Sequence, residues 1–439
     1  MKTFKNILIV FAAGLLATSC TQILSGPNLE DNPNTVGTAS TLALINQAEI
    51  VSAYLAESDA ARYGGINANY ITGIDAQWIG YEQYTYAPDD FDALWSNLYS
   101  EGITHARIAK GQATEEGDVD GLGYASLLEA YQLGELATSF GDVPDSEAVG
   151  ESDAPTYDSQ AMVFNHVQEL LSEVVANAST ANQYISDPSG GTISTSNLGQ
   201  VAHSLKARYF LNAKNYPMAL SEANAGISSP TGGWNTVHAD ATGAQNLFWN
   251  FAVLSRPDNT TPLNSYLEDL VDPSGPVARQ LATPGEAARY AFYYDADGDY
   301  NLAEDGIFAV DASLPLISWH ETRLIAAEAA FRTSGDGAAR SALNAVRTQL
   351  GTEYGGGFPA STASGNALLT HILEEKYITI YPSSSTFHDL SRTNNALGVR
   401  VKTGNQLPQR FLYPQIESDT NPNAPANFPG LFTPTPVNQ

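Results

Sequence analysis

The chain has 439 residues, 43% of them hydrophobic in type, which is enough to bury a sizeable core. Its 48 acidic and 20 basic residues give a formal net charge of −28, a surface that repels phosphate backbones and argues against nucleic-acid binding. The single cysteine, Cys20, excludes an internal disulfide and any zinc site built on several thiolates.

Residues 1–19 read as a processing signal and not as part of the fold. Lys2 and Lys5 precede an apolar run of ten residues, Ile7 to Leu16. That run is too short for a membrane-spanning helix, which needs ~20 residues. Ala17, Thr18 and Ser19 then lead into Cys20, the pattern of a bacterial lipoprotein signal in which Cys20 becomes the first residue and carries acyl chains. No later segment reaches ~18 consecutive apolar residues, so the expected protein is anchored to a membrane and not embedded in one. Residues 20–38, rich in Pro, Asn and Gly, read as a flexible tether. Residues 39–439 are expected to form a single domain.

From there the pattern is helical. Apolar residues recur at helical spacing over Leu42–Ala56, Phe91–Ala109, Tyr124–Leu136 and Met162–Val175. The segment 201–227 places Ala207, Phe210, Tyr216, Ala219, Ala223 and Gly226 at the spacing of a tetratricopeptide helix–turn–helix, where small residues let two helices approach closely. A second pair is expected over Leu316–Leu350, broken at Gly335-Asp336-Gly337, and a further helix over Ala367–Tyr381. No sustained strand alternation occurs. The expected fold class is therefore all-α: degenerate tetratricopeptide-like helix pairs forming a scaffold. Long irregular segments separate the helices at 64–90, 179–198, 228–315 and 396–439, the last expected to lie across the surface.

Several segments, in this order, resemble the SusD/RagB family of nutrient-binding outer-membrane lipoproteins. They are NPN at 32–34, WSNLY at 95–99, ATSFGDVPDSEA at 137–148, the helix pair at 201–227, SWHETRLIAAEAAFR at 318–332, ALNAVR at 342–347, HDLSR at 388–392 and RFLYPQIESDTNPNAP at 410–425. The resemblance spans nearly the whole chain after Cys20. It implies a lipid-anchored protein on the outer face of the outer membrane. Such a protein captures a nutrient, usually an oligosaccharide and in some members a peptide, and passes it to a SusC-like TonB-dependent transporter. It implies no catalysis and no cofactor.

Sugar recognition needs flat apolar surfaces for pyranose C–H faces and polar groups for the hydroxyls, and aromatic side chains supply the former at low entropy cost. The segment QWIGYEQYTY at 77–86 sets Trp78, Tyr81, Tyr84 and Tyr86 in an expected loop, and Trp234 lies in the Gly-rich loop PTGGWN. These five are the expected ligand-contact residues. Trp95, Trp249 and Trp319 sit at core spacing and read as packing. No metal site is expected. In DADGDYN at 295–301 the glycine that a calcium loop needs is replaced by Tyr300, and Gly306 stands where its glutamate belongs. His320-Glu321 lacks a second histidine, because Leu324 takes that place. The alternatives are a helical glycoside hydrolase, which needs only two suitably placed carboxylates, and a peptide-binding or protein-scaffold lipoprotein.

Overall fold

The computed structural model describes residues 39–150, 152, 154–177 and 198–439. The signal, Cys20, the tether, the NPN segment and all but the last residue of 179–198 lie outside them.

The helical spacing read from the sequence becomes the scaffold. Its main helices are α1 (Thr41–Glu57), α2 (Thr104–Glu116), α3 (Val119–Phe140), α4 (Gln160–Asn177), α5 (Leu198–Asn212), α6 (Tyr216–Ala225), α7 (Trp319–Thr333), α8 (Asp336–Glu353) and α9 (Gly365–Thr379). Their starts carry side-chain caps: Ser40 accepts from Ala43 N, Asp118 from Gly121 N, Asn215 from Met218 N and Ser318 from Glu321 N. Gly117, in the left-handed region at φ 69°, closes α2.

Each helix packs mainly on its sequence neighbours, as in a repeat array. α1 lies on α2 and α3, α3 on α4, α4 on α5, α5 on α6, α6 on α7, and α7 on α8 and α9. The pairs α5–α6 and α7–α8 are the two helical hairpins expected from the sequence. Between them Ala207, Leu211, Ala219, Ala223, Ile325, Ala326 and Ala329 form a small core of their own. α3 is almost wholly buried, and its Gly134 sits so close to the Tyr209 ring that an added Cβ would lie 2.2 Å from it.

Buried ion pairs pin the stack. Arg208 of α5 grips Glu321 of α7 with two bonds of 2.8 and 2.6 Å. Arg392 holds Glu328 in the same forked way, at 2.8 Å twice.

The segments read as irregular carry more structure than their sequence signals. Short helices run over Asp59–Asn67 and Gln77–Glu82 within or beside 64–90. Thr72–Gly73 pairs antiparallel with Thr260–Thr261, and Gly233–Asn235 with Pro315–Ser318. The second hairpin therefore begins at Trp319, after a strand, and not at Leu316. Such ribbons of two to four residues are too short for alternation to register. The closing segment does more than lie on the surface: it buries Leu407, Phe411, Tyr413, Leu431 and Thr435. Among the described residues no helix is long and apolar enough to cross a membrane.

Candidate ligand-binding site

The expected aromatic loop is a short helix with its rings turned inward. Trp78 and Tyr81 lie on the helix Gln77–Glu82 and are 2% and 5% exposed. The Trp78 ring meets Phe251 at 5.1 Å and Tyr81 at 5.4 Å, both edge-on. Tyr81 stacks on Tyr86 at 4.9 Å and donates its hydroxyl to Asp90 Oδ1 at 2.5 Å. Tyr86 donates to Asn67 Oδ1 at 3.0 Å. Buried Tyr84, at φ 57°, accepts from Lys402 N at 3.3 Å, and burial raises its phenol to about 12. Lys402 Nζ donates to Glu82 Oε2 at 2.6 Å, and burial draws its ammonium down to about 8. Beneath the helix only glycine fits at position 73, where an added Cβ would lie 2.0 Å from the Trp78 carbonyl.

Trp234 belongs to a different neighbourhood. It sits on the Gly233–Asn235 strand at 1% exposure, edge-on to Tyr131 and Tyr124 of α3. The structure thus brings Trp78, Tyr81 and Tyr86 together, sets Tyr84 beside them, and places Trp234 apart. All but Tyr86 are buried, and Tyr86 is half-buried. The open platform expected from the sequence is absent because neighbouring rings and Phe251 satisfy the apolar faces.

An open pocket lies elsewhere, where three of the segments quoted above converge. WSNLY spans the end of a short helix, Asp92–Ser96, and a π-helical turn, Asn97–Ile103. Such wide turns recur at functional sites. Trp95 and Tyr99 lie with ring centroids 5.0 Å apart. Tyr99 donates to the Pro144 carbonyl at 2.6 Å, fixing the Gly-Asp-Val-Pro turn that follows α3. Tyr413 of the closing segment donates to the Asp142 carbonyl of the same turn at 2.6 Å. The helix Gln415–Thr420 then lies across: Ile416 N donates to Asp92 Oδ1 at 3.0 Å, and Glu417 accepts from Trp95 Nε1 at 3.0 Å and from Tyr157 at 2.7 Å.

The enclosed space is about 270 Å³, at the lower end of the ~300–1,000 Å³ of small-molecule sites. It is lined by Trp95 and Tyr99, by the aliphatic Pro144, Ala148, Val149, Pro155 and Ile416, and by Glu417. Ser96, Ser100 and Thr104 add hydroxyls. Arg107 braces the wall by donating to the Asp145 and Ala148 carbonyls, both at 3.0 Å, and to the Asp145 carboxylate at 2.6 Å. Burial works to raise the Asp145 carboxyl, but the His166 hydrogen bond and Arg107 outweigh it and hold the group below its usual range. Burial drives the Tyr99 and Tyr157 phenols well up, helped at Tyr157 by Glu417, so both are donors at neutral pH.

Sequence reasoning read Trp95 as packing and passed over Tyr99, Ile416 and Glu417. Trp95 is 3% exposed, so it is a core residue that also lines the pocket. Their only signal was membership in the quoted segments. No periodicity links residues 322 apart.

Among the described residues no group of three or more His, Cys, Asp or Glu is arranged to hold a metal ion. In the 295–301 turn, Asp295 Oδ1 accepts from the backbone of Asp297 and Asp299, both at 2.9 Å.

Residues 33–189 match a SusD-like family described as "Starch-binding associating with outer membrane". No curated protein matches the chain. Among solved structures, a SusD homologue from Bacteroides fragilis aligns with TM-score 0.66 at 18% identity, covering 92% of this chain and 100% of its own. A SusD/RagB family protein from Bacteroides thetaiotaomicron aligns with TM-score 0.65 at 17% identity, covering 91% and 99%. A chitin-binding SusD homologue from Flavobacterium johnsoniae aligns with TM-score 0.64 at 13% identity, covering 91% and 98%. Residues 33–189 thus resemble the SusD-like family in sequence, and most of the chain shares the fold of the SusD homologues.

Proposed function

We propose that this protein captures a carbohydrate nutrient at the outer membrane without cleaving it and hands it to a SusC-like TonB-dependent transporter. The observation that carries the reading is the open pocket beside Trp95 and Tyr99. It joins aromatic rings, hydroxyls and one carboxylate, the combination that binds sugar rings. Two relationships support it: a family described as starch-binding and a structural relative named as chitin-binding. Acylated Cys20 and the tether hold the domain at the membrane, facing the cell exterior.

In this reading ring contact with the sugar falls to the half-buried Tyr99, with the packed Trp95 ring behind it. Trp78, Tyr81, Tyr84 and Tyr86 instead support an apolar edge, and Trp234 braces α3. The edge carries Ile74, Ile79, Val253 and Leu254, exposed by 47, 44, 39 and 57%. The Trp78–Phe251 ring contact and the pairing of Thr72–Gly73 with Thr260–Thr261 join its two halves. Exposed apolar side chains on a chain of net charge −28 suit contact with a partner, here the transporter.

Calorimetric titration of the purified chain in detergent against plant and marine oligosaccharides tests the reading, with chromatography of the recovered sugar. Binding with the sugar recovered intact is the expected result. Shortened products would establish the hydrolase alternative, and silence to every sugar with binding to peptides would establish the peptide-binding one.

A further inference from the structure

On the reading that the Trp95 pocket holds the ligand, we infer that its sugar is uncharged and carries an N-acetylamino group, and that acidic glycans are turned away.

Among the described residues, the Glu417 carboxylate is the one charged group that lines the pocket, and no lysine or arginine lines it. Arg107, which braces the wall, directs its donors to Glu129, Asp145 and the Ala148 carbonyl. A uronate or sulfate placed here would set like charges together in a half-enclosed space with no counter-ion. The chain's net charge of −28 adds long-range repulsion.

The remaining chemistry selects among neutral sugars. Carboxylate oxygens accept and never donate. Glu417 Oε1 takes the Trp95 indole N–H, and Oε2 takes Tyr157 and Asn421, which leaves acceptor capacity on Oε1. Thr104 donates its hydroxyl to the Tyr99 carbonyl at 2.7 Å, so it too offers the ligand a lone pair. Ser96 and Ser100 are the lining hydroxyls able to donate. An amide N–H facing Glu417 and an amide carbonyl facing a serine meet this set. The aliphatic wall of Pro144, Val149, Pro155 and Ile416 then receives the acetyl methyl. A glucan would bring hydroxyls to that wall, each losing water without a partner at a cost of about 1–3 kcal/mol.

The test is calorimetric titration of the purified chain in detergent with N-acetylchitotetraose, maltotetraose and tetragalacturonate. The expected order is N-acetylchitotetraose tightest, maltotetraose at least tenfold weaker and tetragalacturonate silent. Glu417→Gln and Ser100→Ala, each checked by thermal melting, should weaken N-acetylchitotetraose about tenfold. Ser100 is exposed, so that variant keeps the fold. Maltotetraose or tetragalacturonate binding as tightly as N-acetylchitotetraose overturns the inference and leaves carbohydrate binding intact. Silence to all three overturns the inference, and the wider oligosaccharide panel then decides carbohydrate binding. Full affinity in both variants moves the N-acetyl specificity out of this pocket and overturns the inference.

Discussion

Trp95 and Glu417 stand 322 residues apart in the chain, yet the Trp95 indole N–H donates to the Glu417 carboxylate at 3.0 Å. Tyr157 donates to the same carboxylate at 2.7 Å. The closing segment is thereby tied to the start of the domain across the mouth of the pocket. Replacing Glu417 by Ala leaves two buried or half-buried donors without an acceptor. The expected loss is about 1–3 kcal/mol, read as a lower urea midpoint with an unchanged slope.

Trp78→Ala and Trp234→Ala should act on stability. Both rings are packed, at 2% and 1% exposure. Removing either opens a cavity costing about 3–5 kcal/mol. Thermal melting should reveal a marked fall for each. A melting point equal to the parent's would mean that the ring is presented to solvent and not packed.

How much of this was legible in advance follows from the range of each signal. Helical periodicity is local, so α1, α3, α4 and the α5–α6 hairpin are where the spacing of their apolar residues puts them. The inward turn of Trp78 was not legible, because its ring packs between Tyr63 of the preceding helix and Phe251, more than 170 residues away. Aromatic density marks a cluster but does not say which way it faces. Tyr413 and Glu417 belong to a Pro- and Asn-rich segment whose composition resembles surface chain, and only the tertiary fold seats them beside Trp95. The second ribbon was hidden for a related reason: Trp234 and Ile317 pair across more than eighty intervening residues in short strands.

His388 gives the fold an acid sensitivity. It is buried, and burial pulls its imidazole from an ordinary 6.5 down to about 3. The ring is therefore neutral at pH 7, and its approach to Glu135 at 3.8 Å is not an ion pair. Between pH 6.5 and 3 the unfolded chain takes up a proton that the folded chain does not, so stability falls as pH drops through that window. Melting points followed from pH 7 to 4 should decline. His388→Gln should flatten that part of the decline, and an equal slope in the variant would assign the sensitivity to other groups.

Glu375 sits fully buried among three guanidiniums. Burial works to raise its carboxyl, but Arg289, Arg279 and Arg347 together hold it far below its usual range. Arg289 donates to it at 2.9 Å, and Arg347 is in contact as well. Glu375→Gln leaves buried positive charge uncompensated and should cost about 3–5 kcal/mol. Combining it with Arg347→Met should cost less than the two single changes added together, a coupling that a double-mutant cycle in urea reads directly.

The most direct measurement is a crystal structure of the chain grown with a bound oligosaccharide. Carbohydrate binding in the pocket predicts sugar density beside Trp95 and Tyr99, with Glu417 accepting a hydrogen bond from the ligand. Density over the Ile74–Leu254 edge, with the Trp95 pocket vacant, would contradict it.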